Sequence, residues 1–352
     1  MLLEYSITVW CSYQLYDAFN RGGMVMIEKF FTSEIVNWFN RNIRINLKTK
    51  TSTINVYEYR LNKYIIPFFR GKRVNEVDSE VIQEFVSTLD NERTGSPLAA
   101  STVYGIVSIL FDFFNYCVEE DIIRYNPCKR VALPKRKRRK VVTLTKRERL
   151  AILDQIEKKP QSRSRLVLVA LHTGMRLGEL SSLRWEYVDL NDRIIKVKTT
   201  KARVRNENCI DSLINSDTTI NKTKVVITEP KTDDSVREVP VSSIVLRQLE
   251  AQKEYDSEYV FPKTNGEGYD NRSIQKYFTS LANSLGIQEK SFHTLRHTFA
   301  TNALESGMDI KTLSQILGHS NVTTTLDYYI HPNEKYTKKA MEMASSYIGK
   351  RQ

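Results

Sequence analysis

Apolar residues recur at helical spacing through the first third of the chain. Between about residues 27 and 128 they fall three and four positions apart, as in the stretch 54–68, which gives each predicted helix one apolar face. Asp78 and Ser101 each stand directly before such a run, and both are residue types that cap helix N-termini. The pattern predicts a small bundle of four helices.

A break in this pattern separates the helical region from the rest of the chain. Pro127 and Pro134 end the helical periodicity, and six consecutive cations follow at 135–140. Because like charges repel one another and resist burial, residues 133–142 are predicted to form an exposed linker. Beside DNA, such a run would neutralise phosphates with little regard to base sequence.

The pattern after the linker combines helices with short strands. Residues 145–148 have the form of a capping box, and an apolar helix at 165–172 is expected to stop at Gly174. Helical spacing returns from Asn271 onward. Three short, alternating and β-branched segments predict strands, at 194–198, 224–228 and 236–241.

Taken along its whole length, the pattern predicts a fold that is mainly α-helical with a small antiparallel sheet. Residues 203–222 are polar and form either a β-insertion or a surface loop, and a last helix is expected at 333–348. We divide the chain into an N-terminal extension, a helical domain, the basic linker and a second domain, at residues 1–26, 27–132, 133–142 and 143–352.

Composition and charge narrow the class of partner. The 352 residues carry a formal net charge of +12 and a sequence pI of about 9.3, which favours nucleic acid, although a basic protein without such a partner has the same charge. Residues 1–19 contain no Lys or Arg, so they lack the basic start of a signal peptide, and no membrane span is expected. The four cysteines form no C-x-x-C pair, which fits a reducing cytoplasm.

Candidate chemistry is concentrated in five short segments, at 173–179, 230–237, 293–297, 317–320 and 325–331. Taken alone, each key residue has an ordinary explanation. Arg176 follows a glycine turn and is expected to start a helix, where its guanidinium could grip a phosphate, but an ion pair with Glu179 explains it as well. Lys231 in a turn is usually a solvated lysine, and His319 is usually a satisfied polar residue.

The segment 293–297 offers both a cationic face and a metal-like pair. His293 and Arg296 are three residues apart and share a helix face. His293 and His297 are one turn apart, as zinc ligands often are, but Thr294 stands where the H-E-x-x-H hydrolases need glutamate. With no further ligand cluster in the sequence, we predict neither a metal site nor any other cofactor.

Together, the order and spacing of these segments resemble the tyrosine recombinase family, also called phage integrases, over about residues 27–349. The resemblance implies a SAM-like core-binding domain followed by a tyrosine-recombinase catalytic domain, in the two-domain layout of the Xer type. The six positions of the family's active site fall on Arg176, Lys231, His293, Arg296, His319 and Tyr329.

The roles of these six residues follow from the resemblance. Arg176, Arg296 and His319 would stabilise negative charge that grows on the phosphorus oxygens. Tyr329 would attack the phosphate, His293 would accept its proton, and Lys231 would protonate the leaving 5′ hydroxyl.

The nucleophile is one of two adjacent tyrosines. Tyr328 lies nine residues after His319 and Tyr329 ten, and both spacings resemble arrangements in the family. The form Thr-Leu-Asp-x-Tyr-x-His, in which His331 follows two residues after the tyrosine, favours Tyr329. This ending resembles integrases of conjugative transposons and of phages from Gram-positive bacteria.

The resemblance implies a 3′-phosphotyrosyl intermediate and a Holliday junction, with no need for ATP or metal. The implied partners are double-stranded DNA at specific sites, further copies of the chain in a tetramer, and an accessory DNA-bending or directionality protein. The helix at 333–348 either docks on a neighbouring subunit or packs on its own chain. Integration of a mobile element is favoured; resolution of chromosome or plasmid dimers, a type IB topoisomerase and a catalytically inactive DNA-binding regulator remain alternatives.

Overall fold

The computed structural model describes most of the chain from residue 29 to residue 329. The described residues are 29–46, 51–92, 94–136, 141–205, 223–228, 236–319 and 321–329, with 338, 341–342 and 345–346 beyond them. They fall into two compact units, the first within Met1–Arg138 and Val204–Lys224, the second within Arg139–Arg203 and Val225–Gln352. The predicted extension at 1–26, Lys231, His331 and most of the segments 203–222 and 333–348 lie outside the described residues.

The first unit contains the four helical stretches that the sequence predicts. Two of them continue through π-helical turns, at Phe39–Arg44 and Leu61–Ile65, and two 3₁₀ turns lie at Val74–Glu76 and Pro127–Arg130. The α-helices of this unit are α1 Phe31–Trp38, α2 Thr51–Arg60, α3 Ile66–Phe69, α4 Ser79–Ser87 and α5 Ala100–Glu119.

One of the two predicted caps is confirmed and the other is wrong. The Asp78 carboxylate accepts the backbone N–H groups of Glu80 and Val81 at 2.9 Å, so it caps α4. Ser101 does not cap α5, because that helix begins at Ala100 and the residue before it, Ala99, has no capping side chain. An isolated bridge pairs Asp90 with Pro97 just before α5, and the helix begins three residues after Pro97.

The core of the first unit is rich in phenylalanine. Phe31 stacks on Phe69 with ring centroids 4.4 Å apart and meets Phe113 edge-on at 5.2 Å. Helix α5 contributes eight buried residues to this core. By length and composition it is also the one described helix that could cross a membrane, as the apolar core helix of a globular unit often can.

The second unit is mainly helical around a small sheet. Its helices are α6 Lys146–Lys158, α7 Ser162–Thr173, α8 Leu177–Ser181, α9 Ser243–Gln252, α10 Asn271–Ser284, α11 His293–Glu305, α12 Ile310–Leu317 and α13 Val322–Tyr329. The capping box is confirmed, since Thr145 and Glu148 exchange side chain-to-backbone bonds at 3.2 and 2.7 Å. Gly174 ends α7 in the left-handed conformation at φ 65°, as predicted.

Five strands accompany these helices: β1 Val188–Asp189, β2 Ile194–Val197, β3 Thr200–Arg205, β4 Thr223–Thr228 and β5 Arg237–Pro240. Strands β1, β2 and β5 form an antiparallel sheet in that order, in which Ile195 faces Val239, and β3 pairs with β4. The predicted fold class and the three predicted strands are confirmed. The sequence did not predict β3, whose polar alternation resembled a loop.

Candidate active site

The C-terminal end of α12 gathers three arginines. Gly318 adopts the left-handed conformation at φ 63° and ends the helix, leaving its last carbonyls without partners inside the helix. Each of three consecutive carbonyls accepts a hydrogen bond from a different guanidinium: Ile316 from Arg237 Nε at 2.6 Å, Leu317 from Arg296 Nη2 at 2.8 Å and Gly318 from Arg176 Nη2 at 3.0 Å. Because a helix C-terminus carries partial negative charge, it is a favourable place for cations.

Arg176 and Arg237 are joined by one buried carboxylate. Glu179, whose side chain is 3% exposed, accepts Arg176 Nη1 at 2.9 Å and both terminal nitrogens of Arg237 at 2.9 and 3.1 Å. Burial by itself raises the pKa of this carboxyl, but the hydrogen bonds and charges of Arg237 and Arg176 outweigh burial and hold the pKa below its ordinary value. Glu179 therefore remains ionised and fixes both arginines.

The ion pair of Arg176 with Glu179 leaves part of its guanidinium accessible. Arg176 is the N-cap residue of α8, and its backbone N–H also binds Glu179, at 2.8 Å. Its side chain is 38% exposed, against 6% for Arg237. The ion pair that the sequence offered as an alternative is thus present and compatible with phosphate binding at the open side of Arg176.

Arg296 is almost completely enclosed and is held by backbone. It is 3% exposed, and its Nη1 donates to Gly174 O at 2.8 Å while Nη2 donates to Leu317 O. The absence of a Cβ at Gly174 lets the Phe299 ring pack against this turn, because a Cβ there would lie 2.5 Å from that ring. The ends of α7 and α12 therefore fix the position of one guanidinium.

His319 lies between Arg296 and the helix that carries the two candidate tyrosines. Its Nε2 is 2.8 Å from Arg296 Nη2 and its Nδ1 is 2.9 Å from the Thr325 hydroxyl on α13. Burial, and then the charges of Arg296, Arg176, Arg237 and His293, lower the pKa of His319 to about 4. The ring is therefore neutral at pH 7.

His293 and His297 begin α11 and contact each other. Their rings meet edge to face with centroids 4.6 Å apart. Burial and the charges of Arg296 and Arg176 lower the pKa of His293, and burial with the charges of His293 and Arg296 lowers the pKa of His297 to about 4. Within the described ranges, no group of three or more His, Cys, Asp or Glu side chains is placed to hold a metal ion.

The structure brings four of the six predicted residues together: Arg176, His293, Arg296 and His319. Tyr329 is the last residue of α13 and Tyr328 precedes it, but their side chains lie outside the described part of the chain. Lys231 lies outside it entirely. The choice between the tyrosines and the role of Lys231 stay predictions.

Sequence reasoning gave no role to Arg237 or Thr325, and it offered Glu179 only as an ion-pair partner of Arg176, although all three lie within the five segments. Arg237 had a usable signal, because strand alternation places it on the same face as Val239, which is buried. An arginine on an inward-facing strand position needs a buried partner. Thr325 had no such signal, since nothing in the sequence separates it from Thr323 and Thr324.

The cluster of Arg176, Arg296 and His319 is suited to bind an oxyanion. Two guanidiniums and an imidazole converge, and the one carboxylate among them is already occupied by Arg176 and Arg237. Arginine binds phosphate through paired N–H groups, and fixed donors of this kind stabilise charge that develops on phosphorus oxygens.

Two comparisons of sequence agree with this description. Residues 142–336 match the model of the phage integrase family, and residues 33–89 match the model of the phage integrase N-terminal SAM-like domain. The chain is 28% identical over 319 residues to a tyrosine recombinase XerC-like protein of Caldanaerobacter subterraneus subsp. tengcongensis, covering 85% of this chain and 78% of that protein.

Solved structures with the same fold include two integrases bound to DNA. The Tn1549 transposon integrase in complex with a circular intermediate DNA superposes with a TM-score of 0.70 at 22% identity, over 89% of this chain and 98% of that chain. A lambda integrase from a tetramer bound to a Holliday junction superposes with a TM-score of 0.61 at 19% identity, over 90% of this chain and 80% of that one.

Proposed function

This chain belongs to the phage integrase family, and from that premise we propose that it is a site-specific DNA recombinase that cleaves and rejoins DNA through a 3′-phosphotyrosyl intermediate. The observation that carries the proposal is the convergence of Arg176, Arg296 and His319 at the end of α12. These groups supply donors to the oxygens of a phosphodiester, where negative charge increases as a nucleophile attacks.

In the proposed reaction, Tyr329 is the nucleophile. A free tyrosine has a pKa near 10, so forming tyrosinate at pH 7 costs about 4 kcal/mol. The neighbouring arginines reduce that cost, and His293, whose lowered pKa keeps it neutral at pH 7, accepts the proton. Lys231, in the segment before β5, donates a proton to the 5′ oxygen as its bond to phosphorus breaks, which releases a 5′ hydroxyl.

The energy of the broken bond is kept in the phosphotyrosyl linkage. A 5′ hydroxyl from a second duplex can therefore reverse the step without ATP, and no metal ion is required. We propose that four copies of the chain hold two duplexes and exchange strands through a Holliday junction, as the lambda integrase tetramer is bound to one. In this proposal the helical domain at 27–132, the basic linker at 133–142 and the catalytic domain at 143–352 each contact the DNA, and an accessory DNA-bending or directionality protein is a further partner.

The biological role that we favour is integration and excision of a bacterial mobile element in the cytoplasm. The form of residues 325–331 and the likeness of fold to a transposon integrase support it. Resolution of chromosome or plasmid dimers is the second candidate, because the sequence is 28% identical to an Xer-like recombinase. Recombination between the ends of the surrounding element, with no activity on plasmid dimers, supports the first role, and the reverse result supports the second.

The first experiment detects the covalent intermediate. The protein is incubated without metal or ATP with nicked duplexes from the DNA that flanks its gene, and denaturant-resistant adducts are mapped by mass spectrometry. We expect an adduct on Tyr329 that is lost in Tyr329→Phe and retained in the matched control Tyr328→Phe.

Each other outcome changes a specific part of the proposal. An adduct on Tyr328 retains the reaction and replaces the nucleophile. Relaxation of supercoiled plasmid without strand exchange favours a type IB topoisomerase. If adducts form neither on the flanking DNA nor on nicked DNA of random sequence, the chain is a DNA-binding regulator without catalysis.

A further inference from the structure

The two nitrogens of His319 have unequal partners. Nε2 lies 2.8 Å from Arg296 Nη2, and Nδ1 lies 2.9 Å from the Thr325 hydroxyl. A guanidinium can only donate hydrogen bonds, so Nε2 must accept one. A neutral imidazole then carries its single hydrogen on Nδ1, and that N–H donates to Thr325 Oγ1.

This tautomer is unsuited to the reaction proposed above. To stabilise the phosphate, His319 must donate from the nitrogen that faces the arginines, which is Nε2. In the free protein that nitrogen presents a lone pair, which would repel a phosphate oxygen. When a phosphate takes over the N–H groups of Arg296, the ring must therefore move its hydrogen from Nδ1 to Nε2.

The proton balance of that change is simple. Nδ1 releases one proton to solvent and Nε2 takes one from solvent, so the net charge of the ring is the same before and after. Nδ1 is then left with a lone pair in a buried place, where an unsatisfied polar atom is costly.

The Thr325 hydroxyl can serve both tautomers. A hydroxyl donates and accepts, and rotation about its C–O bond turns it from acceptor of Nδ1–H to donor toward Nδ1. Thr325 is fully buried, with 0% of its surface exposed. We propose that Thr325 is a positioning residue which lets His319 accept from Arg296 in the free protein and donate to the scissile phosphate during cleavage; this rests on the function proposed above.

The position of Thr325 links this device to the nucleophile. It lies in α13, one helical turn before Tyr329. When α13 is in place, it therefore positions both the hydroxyl that orients His319 and the backbone of Tyr329. His319 can donate to the phosphate, with both ring nitrogens satisfied, only when the tyrosine helix is in place.

The first test measures the tautomer directly in the protein without DNA. Long-range ¹H–¹⁵N NMR distinguishes Nδ1–H from Nε2–H, and the chain has only five histidines, so His319→Gln assigns the signal. We expect the Nδ1–H form in the wild-type protein. Thr325→Val keeps the shape of the side chain without its hydroxyl. Arg296 still donates to Nε2, so the Nδ1–H form should persist, but its hydrogen loses its acceptor, and the Nδ1–H proton resonance should move upfield and exchange faster with water.

The matched control in this test is Thr323→Val, since Thr323 is exposed in the same helix. We expect its His319 signal to equal that of the wild-type protein. An Nε2–H tautomer in the wild-type protein, or an Nδ1–H resonance that is unchanged in Thr325→Val, overturns the proposal.

The second test measures adduct formation on nicked DNA. We expect Thr325→Val to slow adduct formation roughly 10- to 100-fold, the usual effect of removing a residue that orients a functional histidine. Thr325→Ser restores the hydroxyl and should recover the rate, and all rates are compared per folded molecule because Thr325→Val also loses a buried hydrogen bond. Wild-type rates in Thr325→Val overturn the proposal, and so does a slow Thr325→Ser.

The two tests separate this proposal from the one on which it rests. If the wild-type protein forms no adduct on any DNA, the recombinase function fails. The NMR result still decides whether His319 carries its hydrogen on Nδ1 and whether the Thr325 hydroxyl is the partner of that nitrogen.

Discussion

The core of the first unit and the site of the second unit are equally buried but built from opposite kinds of side chain. Phe31, Phe69 and Phe113 are fully enclosed and belong to one cluster of buried apolar side chains. Glu179 and Arg296 are 3% exposed, and each is enclosed by charged or polar partners.

The difference lies in what each kind of burial requires. An apolar side chain gains from any close neighbour, and its loss leaves a cavity. A buried ion depends on particular partners at particular distances, and the loss of one leaves the others uncompensated. Substitution in the first core should therefore change stability alone, whereas substitution in the site should change stability and chemistry together.

The largest effect on stability should come from the phenylalanine core. We expect Phe113→Ala to lower the free energy of unfolding by about 3–5 kcal/mol, because it removes a fully buried ring from α5. Denaturant unfolding measures this change. Phe111→Ala is the control in the same helix, since Phe111 is 36% exposed and should cost roughly 0.5 kcal/mol. Adduct formation per folded molecule should be unchanged in both variants. If Phe113→Ala lost it, substitution in the first core would change chemistry as well as stability, against the difference drawn above.

Replacing Glu179, the carboxylate of the site, should lower the free energy of unfolding somewhat less, and it should also slow the reaction. Glu179→Gln removes the charge that Arg176 and Arg237 share, and should cost about 3 kcal/mol of unfolding free energy. Displacement of Arg176 should also slow adduct formation by about 100-fold. Glu186→Gln, at an exposed ion pair with Arg184, is the control and should change neither quantity. Stability loss with full activity would mean that the carboxylate does not position Arg176.

Acid should weaken the second unit and spare the first. The pKa values of His297 and His319 are held near 4, below the usual 6.5, so between these values the unfolded chain binds protons that the folded chain does not. Their stabilising contribution is therefore complete above pH 6.5 and declines as the pH falls toward 4.

The first unit offers the opposite response. No histidine precedes His172 in the sequence, and burial raises the pKa of Asp112, which favours the folded state at low pH. Hydrogen exchange of the full chain at pH 7 and pH 5 should show faster opening of α11 and α12 at the lower pH, and no faster opening of α5. Equal changes in the two units would contradict this origin of the acid response.

The smallest effect concerns a polar contact in the otherwise apolar unit. Asp78→Ala removes the cap of α4 and should cost about 1 kcal/mol. Glu80→Ala, an exposed neighbour in the first turn of the same helix, should cost less. Thermal unfolding of the two variants decides the point, and equal melting temperatures would show that the cap adds nothing beyond the charge at the helix start.

Most of the fold could be predicted from the sequence, because it depends on local periodicity. The helical spacing at 54–68 and the capping box at 145–148 each contain their own signal within a few residues. The start of α5 could not be predicted in this way. It depends on the bridge between Asp90 and Pro97, and pairing of that kind has no mark in the local pattern at Ser101.

The candidate site was predicted only in part for the same reason. The resemblance supplied Arg176, His293, Arg296 and His319, which the structure brings together. The contacts that hold them join residues far apart in the chain, such as Arg237 with Ile316, 79 positions away. The residue pattern within one segment carries no information about a partner so far along the chain.

The end of α12 has a consequence for how the sequence can change over evolution. The groups that this helix end offers to the three arginines are main-chain oxygens, which every amino acid possesses. Ile316 and Leu317 can therefore be exchanged for other apolar residues without loss of the oxygens that the arginines use. Gly318 has no such freedom, because its φ of 63° disfavours a side chain and a Cβ would lie 2.9 Å from Arg237. Related sequences should therefore differ freely in the side chains at positions 316 and 317, while the backbone conformation at position 318 should stay the same.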